Sequence, residues 1–82
     1  MKAKVFVTLK ASVLDPQGKA IKHSVELLGF SGISDIRQGK YFDVNIADGV
    51  SSDRSKEIVQ KLAKEVLTNP VIEEYRIVWE SR

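Results

Sequence analysis

Along residues 3–10 the chain alternates: Ala3, Val5, Val7 and Leu9 are apolar, while Lys4, Thr8 and Lys10 are polar. Strand side chains point to opposite faces at a period of two, so this pattern predicts a half-buried strand. Phe6 breaks the rule by sitting on the polar side among lysines, and it marks a second surface beyond the core. From residue 16 the period changes. Ile21, Val25 and Leu28 recur at spacings of four and three, the apolar stripe of a helix. Asp15 stands where it can accept from the free N–H groups of the first turn, Pro16 suits the first helical position, and Gly29 supplies a permissive end. Gly18 fits none of this. Inside a first turn it costs up to about 1 kcal/mol relative to alanine, which points to a close approach by another segment or to backbone N–H groups presented to a partner.

Residues 33–47 read as extended, with a break at Gln38-Gly39 that suits a tight turn or bulge. Phe42, Val44 and Ile46 then alternate with Tyr41, Asp43 and Asn45. The break allows two paired strands or one long bent strand. Asp48-Gly49 ends this region, and Ser51-Ser52-Asp53 offers caps for a second helix whose inner face is Ile58, Val59, Leu62, Ala63, Val66 and Leu67. Glu57 with Lys61, and Lys61 with Glu65, are spaced as outer-face charge pairs. Asn69-Pro70 stops the helix. Tyr75, Ile77 and Trp79 alternate with Arg76 and Val78 in a last strand. The expected architecture is α+β: one two-layer β-α-β-β-α-β domain over residues 1–82, with a mainly antiparallel sheet. Each helix has a single apolar stripe, so both belong on one sheet face. The other face, carrying Phe6, is left for association with other copies.

Size sharpens that expectation. A chain of 82 residues buries only roughly 60–65% of its unfolded surface, and small domains without staples often gain stability by associating. There is no cysteine, which removes disulfides, thiolate catalysis and zinc–thiolate sites and suits a cytoplasmic setting. Lys4 and Thr8 interrupt the apolar N-terminal run, so neither a signal peptide nor a membrane span is expected. The net charge is +2, and residues 1–22 hold Lys2, Lys4, Lys10, Lys19 and Lys22 against Asp15 alone. Such a face could meet phosphates or an acidic partner, and equally well be a solvated surface.

Catalytic chemistry is hard to assemble from these residues. His23 lies about 200° round the helix from Ile21, off the apolar stripe, with no Ser, Cys or carboxylate constellation around it. Ligand spacings for a metal are missing, as are phosphate-loop and dinucleotide fingerprints. Asp15 and Lys19, one helical turn apart, read as surface pairing. The segment GKYFDV, residues 39–44, has the aromatic and basic content of an RNA-binding strand. Adjacent Tyr41 and Phe42 must point to opposite faces, however, and Asp43 repels phosphate, so no nucleic-acid partner is expected. No catalytic, cofactor-binding or metal-binding residue is therefore assigned. A free-standing regulatory domain for a small ligand is the alternative that the architecture itself permits.

Three segments in order go further: VLDPQGKA (residues 13–20), IRQGKY (residues 36–41) and NPVIEEYRI (residues 69–77). Together they resemble the PurS family, the small subunit of phosphoribosylformylglycinamidine synthase, over essentially the whole chain. One departure is Ala11-Ser12, where the family commonly has Pro-Gly. The resemblance implies a non-catalytic part in the fourth step of purine biosynthesis. In that step formylglycinamide ribonucleotide, glutamine and ATP give formylglycinamidine ribonucleotide, glutamate, ADP and phosphate. It further implies a homodimer or homotetramer that helps hold a glutaminase subunit to a synthetase subunit, the latter using ATP and magnesium. The residues it nominates for contact are Gln17, Gly18, Lys19, Arg37, Gly39, Lys40, Asn69, Pro70 and Tyr75, beside Phe6 from the alternation.

Overall fold

The computed structural model describes residues 1–80. Its elements are β1 (Lys2–Leu9), α1 (Pro16–Leu27), β2 (Gly39–Asn45), α2 (Ser52–Leu62, continued by a π turn over Ala63–Leu67) and β3 (Glu73–Glu80). The three strands form one antiparallel sheet in the order β2-β1-β3. Val5 stands opposite Phe42 on one side and Ile77 on the other. This register gathers the apolar sets of all three strands on one face. There Ala3, Val5 and Val7 are fully covered and pack with Val59 and Ala63 of α2. The α+β class and the antiparallel sheet are those expected from the alternation.

Two expectations about the first half of the chain are corrected. Among the described residues, no strand forms over residues 30–38, so the order is β-α-β-α-β rather than β-α-β-β-α-β. The end of the segment that would have been the extra strand, Ile36 to Gln38, lies against the first turn of α1. Nor does α1 join α2 on the sheet. Its stripe is largely in solvent: Ile21 is 42% exposed and Leu28 75%, with Val25 half-buried, and neighbouring Leu27 and Phe30 are 75% and 64% exposed. The helix and its return segment project as an arm, which stretches the molecule to 51 × 28 × 14 Å. The helix ends as expected, with Gly29 at φ 90°. Gly29 N–H donates to the Glu26 carbonyl (3.0 Å) and Phe30 N–H to that of Val25 (3.2 Å), a complete Schellman motif.

A third correction concerns α2. Ser51 caps it, its Oγ accepting from Arg54 N–H at 3.1 Å. In an unbroken α-helix Val66 would return within about 20° of Val59 and share the core. The wider π turn over Ala63–Leu67 rotates Val66 out, leaving it 70% exposed, while Leu67 packs against the core. The helical ion pairs that form are Arg54–Glu57 and Lys22–Glu26. Both lie on the surface, where such pairs contribute little.

Candidate functional site

The three sequence segments meet at one end of the sheet, in the elbow from which the arm departs. Asp15, 5% exposed, is its centre. Its Oδ1 accepts from Gly18 N–H at 2.9 Å, which is the helix cap; its Oδ2 accepts from Gln38 N–H at 2.8 Å, which is not. One carboxylate therefore ties the first turn of α1 to the segment returning from the arm. Arg37 adds a second tie, donating from Nη2 to the carbonyls of Lys10 (3.1 Å) and Val13 (3.0 Å). The side chains of Gln38 and Gln17 close a third at 2.7 Å. Asp15 does not pair with Lys19 as an ordinary surface couple; both its oxygens face backbone N–H groups.

Gly18 is explained by the same geometry. A Cβ there would lie 2.3 Å from the Ile36 carbonyl oxygen and 3.1 Å from Arg37 Cα. The return segment crosses α1 closer than any side chain allows. Gly39, which opens β2, has a similar constraint: a Cβ would stand 2.6 Å from the Val7 carbonyl oxygen.

On either side of Asp15 lies a cleft. One of about 230 Å³ is bounded by Ser12, Val13, Lys19, Ile36 and Arg37. The other, of about 220 Å³, is bounded by Leu9, Gln17, Gln38, Lys40 and Glu73. Glu73 was not singled out in the sequence, yet it joins two nominated segments. Its Oε1 accepts from Asn69 N–H at 2.8 Å and its Oε2 faces Lys40 Nζ at 3.5 Å. Asn69 also organises its own turn, accepting from Val71 N–H through Oδ1 (3.2 Å) and from Glu73 N–H through its carbonyl (2.7 Å). Pro70 lies exposed in that turn. Thus Gln17, Gly18, Lys19, Arg37, Gly39, Lys40, Asn69 and Pro70 share one end of the molecule.

Tyr75 and Phe6 lie elsewhere. Tyr75 is half-buried on the helix-covered face, where its hydroxyl accepts from Gln60 Nε2 of α2 at 3.3 Å. Phe6 lies on the open face between its cross-strand neighbours Tyr41 and Arg76. The Tyr41 ring centroid is 5.2 Å away, and the Arg76 guanidinium sits 4.6 Å above the Phe6 ring. Lys4 and Glu80 pair across the same face at 3.0 Å. The hydrogen bond to Glu80 raises the Lys4 pKa, and donation to Asp43 raises that of Tyr41. Tyr41 and Phe42 do point to opposite faces, as the alternation requires.

Hydrogen bonds from Gln38 and Gly18 hold the Asp15 carboxyl below its ordinary pKa. A lowered folded-state pKa means stability that is present above the unfolded value and lost as pH falls through the folded one. Thermal midpoints of wild type and Asp15→Asn should therefore differ most above about pH 4 and converge in stronger acid. A gap that stays constant down to pH 2 would show that the Asp15 charge is not what the elbow uses.

Fold and elbow together define a class: a small α+β chain with a two-layer body and an arm held out from one end of its sheet by backbone ties. A family model described as PurS, phosphoribosylformylglycinamidine (FGAM) synthase, matches residues 2–81. The chain belongs to the PurS family. It is 43% identical over 81 residues to the phosphoribosylformylglycinamidine synthase subunit PurS of Mycobacterium leprae, covering 99% of this chain and 98% of that one. Among solved structures, PurS of Methanocaldococcus jannaschii, one of the subunits of formylglycinamide ribonucleotide amidotransferase, aligns with a TM-score of 0.85 at 33% identity, covering 99% of this chain and 96% of its own. A chain of the PurLQS structure from Thermotoga maritima aligns with a TM-score of 0.84 at 28% identity, over 94% and 93% of the two chains. The reading as a free-standing regulatory domain gains no support from these matches.

Proposed function

We propose that this chain is the small subunit of a phosphoribosylformylglycinamidine synthase in purine biosynthesis. It self-associates and bridges a glutaminase subunit to a synthetase subunit, so that ammonia released from glutamine reaches formylglycinamide ribonucleotide activated with ATP and magnesium by the synthetase. The observation that carries this reading is the arm. It presents Ile21, Leu27, Leu28, Phe30 and Ile33 to solvent, and an apolar surface held out this way is made for covering by other chains. The elbow beneath it supplies docking geometry. The bond-making chemistry falls to the larger subunits, since glutamine hydrolysis in such enzymes uses a cysteine nucleophile and this chain has none. No helix among the described residues is long and apolar enough to cross a membrane; a cytoplasmic assembly, with no nucleic-acid partner, is part of the proposal.

Reconstitution tests it. The synthetase and glutaminase subunits are assayed with and without this chain, using either glutamine or free ammonia as nitrogen donor. Omission should abolish the glutamine-driven rate and leave the ammonia-driven rate in place. Equal glutamine-driven rates with and without the chain would refute the assignment.

A further inference from the structure

We propose that Asp15 is a positioning residue, whose carboxylate sets the angle between the α1 arm and the sheet and thereby the direction in which the arm meets its partners. This rests on the bridging role proposed above but makes a separate claim about the chain alone. The core contains no residue of α1, and the helix face that would have seated it on the sheet is largely in solvent. What orients the arm is its base. Two of the contacts there converge on Asp15: the backbone N–H groups of Gly18 on the outgoing helix and Gln38 on the returning segment donate to the two oxygens of one nearly buried carboxylate. Charge-assisted bonds of this sort are short and directional. A side chain anchored at both limbs of an elbow resists rotation of either.

The Arg37 ties act on a different joint, joining the returning segment to the carbonyls of Lys10 and Val13 where the chain leaves β1. Asp15 therefore ties the first turn of α1 to the residue that enters β2 at Gly39, and Arg37 ties the same returning segment to the chain leaving β1. Asparagine at position 15 keeps the size of the side chain. It offers one acceptor oxygen, so one of the two N–H groups must lose its partner or face an NH2 group.

With no cysteine in the chain, two introduced thiols are unique labelling sites. Ser31→Cys places one near the arm tip and Asn45→Cys one at the far end of β2, both at exposed positions. Pulsed electron–electron distances are recorded on the full chain, diluted with unlabelled protein so that only intramolecular pairs count. The parent should give one narrow distribution. Asp15→Asn should broaden it at least about twofold, and Asp15→Ser, which keeps a helix cap but is too short to hold Gln38 as well, should do likewise if the asparagine variant does not fold. Val59→Ala, a core cavity remote from the elbow, is the control for general destabilisation. A distribution left narrow by a folded Asp15 variant, or broadened as much by Val59→Ala, overturns the proposal. In the reconstituted synthase, a folded elbow variant should lose glutamine-driven rate while keeping ammonia-driven rate. A synthase indifferent to this chain would sink the bridging role, whereas the distance measurement judges Asp15 independently.

Discussion

Gly18→Ala is expected to destabilise the protein by about 2 kcal/mol, although alanine is the better helix former by about 1 kcal/mol. The propensity gain is outweighed because the new methyl group would stand 2.3 Å from the Ile36 carbonyl oxygen and 2.8 Å from Asp15 Oδ2. Neither atom is the loose end of a flexible side chain. The first belongs to the backbone of the return segment, and the second is held by Gln38 N–H. Relief requires the limbs of the elbow to part by about 1 Å, which also lengthens the Asp15 bonds. For a chain of this size the loss corresponds to a fall in thermal midpoint of about 10 °C. Gly29→Ala is the informative comparison. That residue holds φ 90° but has nothing within 4 Å of its Cβ position, so alanine there meets backbone strain alone, about 1–2 kcal/mol. A Gly18→Ala variant as stable as wild type would show that the crossing is looser than the structure has it.

The contrast between these glycines marks how far local reading of the chain reaches. Strand alternation at Ala3, Val5 and Val7, the Asp15 and Ser51 caps and the Gly29 helix end are decided by neighbours in sequence, and each is legible there. Gly18 is legible as a position of close approach, as one of two readings, but the segment that approaches is not, since Ile36 lies about twenty residues away in sequence. The same holds for Asp15: its capping oxygen follows from Pro16 and the helix behind it, while the oxygen bound to Gln38 follows only from the return path. The Ile21–Val25–Leu28 stripe correctly predicts a helix but says nothing about which surface covers it. Periodicity measures amphipathicity, and a helix destined for another chain looks the same as one destined for its own sheet. Residues 33–38 have strand-like content and no strand, because Gln38 N–H is taken by a carboxylate and the crossing over Gly18 leads the backbone away from the sheet. Val66 is turned out of the inner face by a single π turn that no periodic pattern announces. The nominated contact segments converge in space at the elbow, Tyr75 excepted, and Asn69 is largely occupied with its own turn as Tyr75 is with α2.

A last expectation concerns where the stability of this chain resides. Only Ala3, Val5, Val7, Val59 and Ala63 are fully buried apolar residues among those described, a core thin even for a domain this small. A compact chain of this length has a radius of gyration of about 12 Å, against the observed 16.4 Å; the excess is the arm. If the apolar side of the arm is buried between copies, association supplies free energy that the isolated fold lacks. The thermal midpoint must then rise with protein concentration, by about 3–6 °C per tenfold for a dimer of this size. Converting the stripe by Ile21→Lys together with Leu28→Lys should remove that dependence, halve or quarter the mass seen in sedimentation, and lower the midpoint by more than about 10 °C. Lysine serves the test because it is a good helix former and, at position 28, suits the negative end of the helix. Loss of association then cannot be blamed on loss of α1, and far-ultraviolet circular dichroism should report unchanged helix below the transition. A wild-type midpoint independent of concentration across the micromolar range, with a monomer in sedimentation, would mean that the body stands without its neighbours. The arm's exposed leucines would then await only the larger subunits.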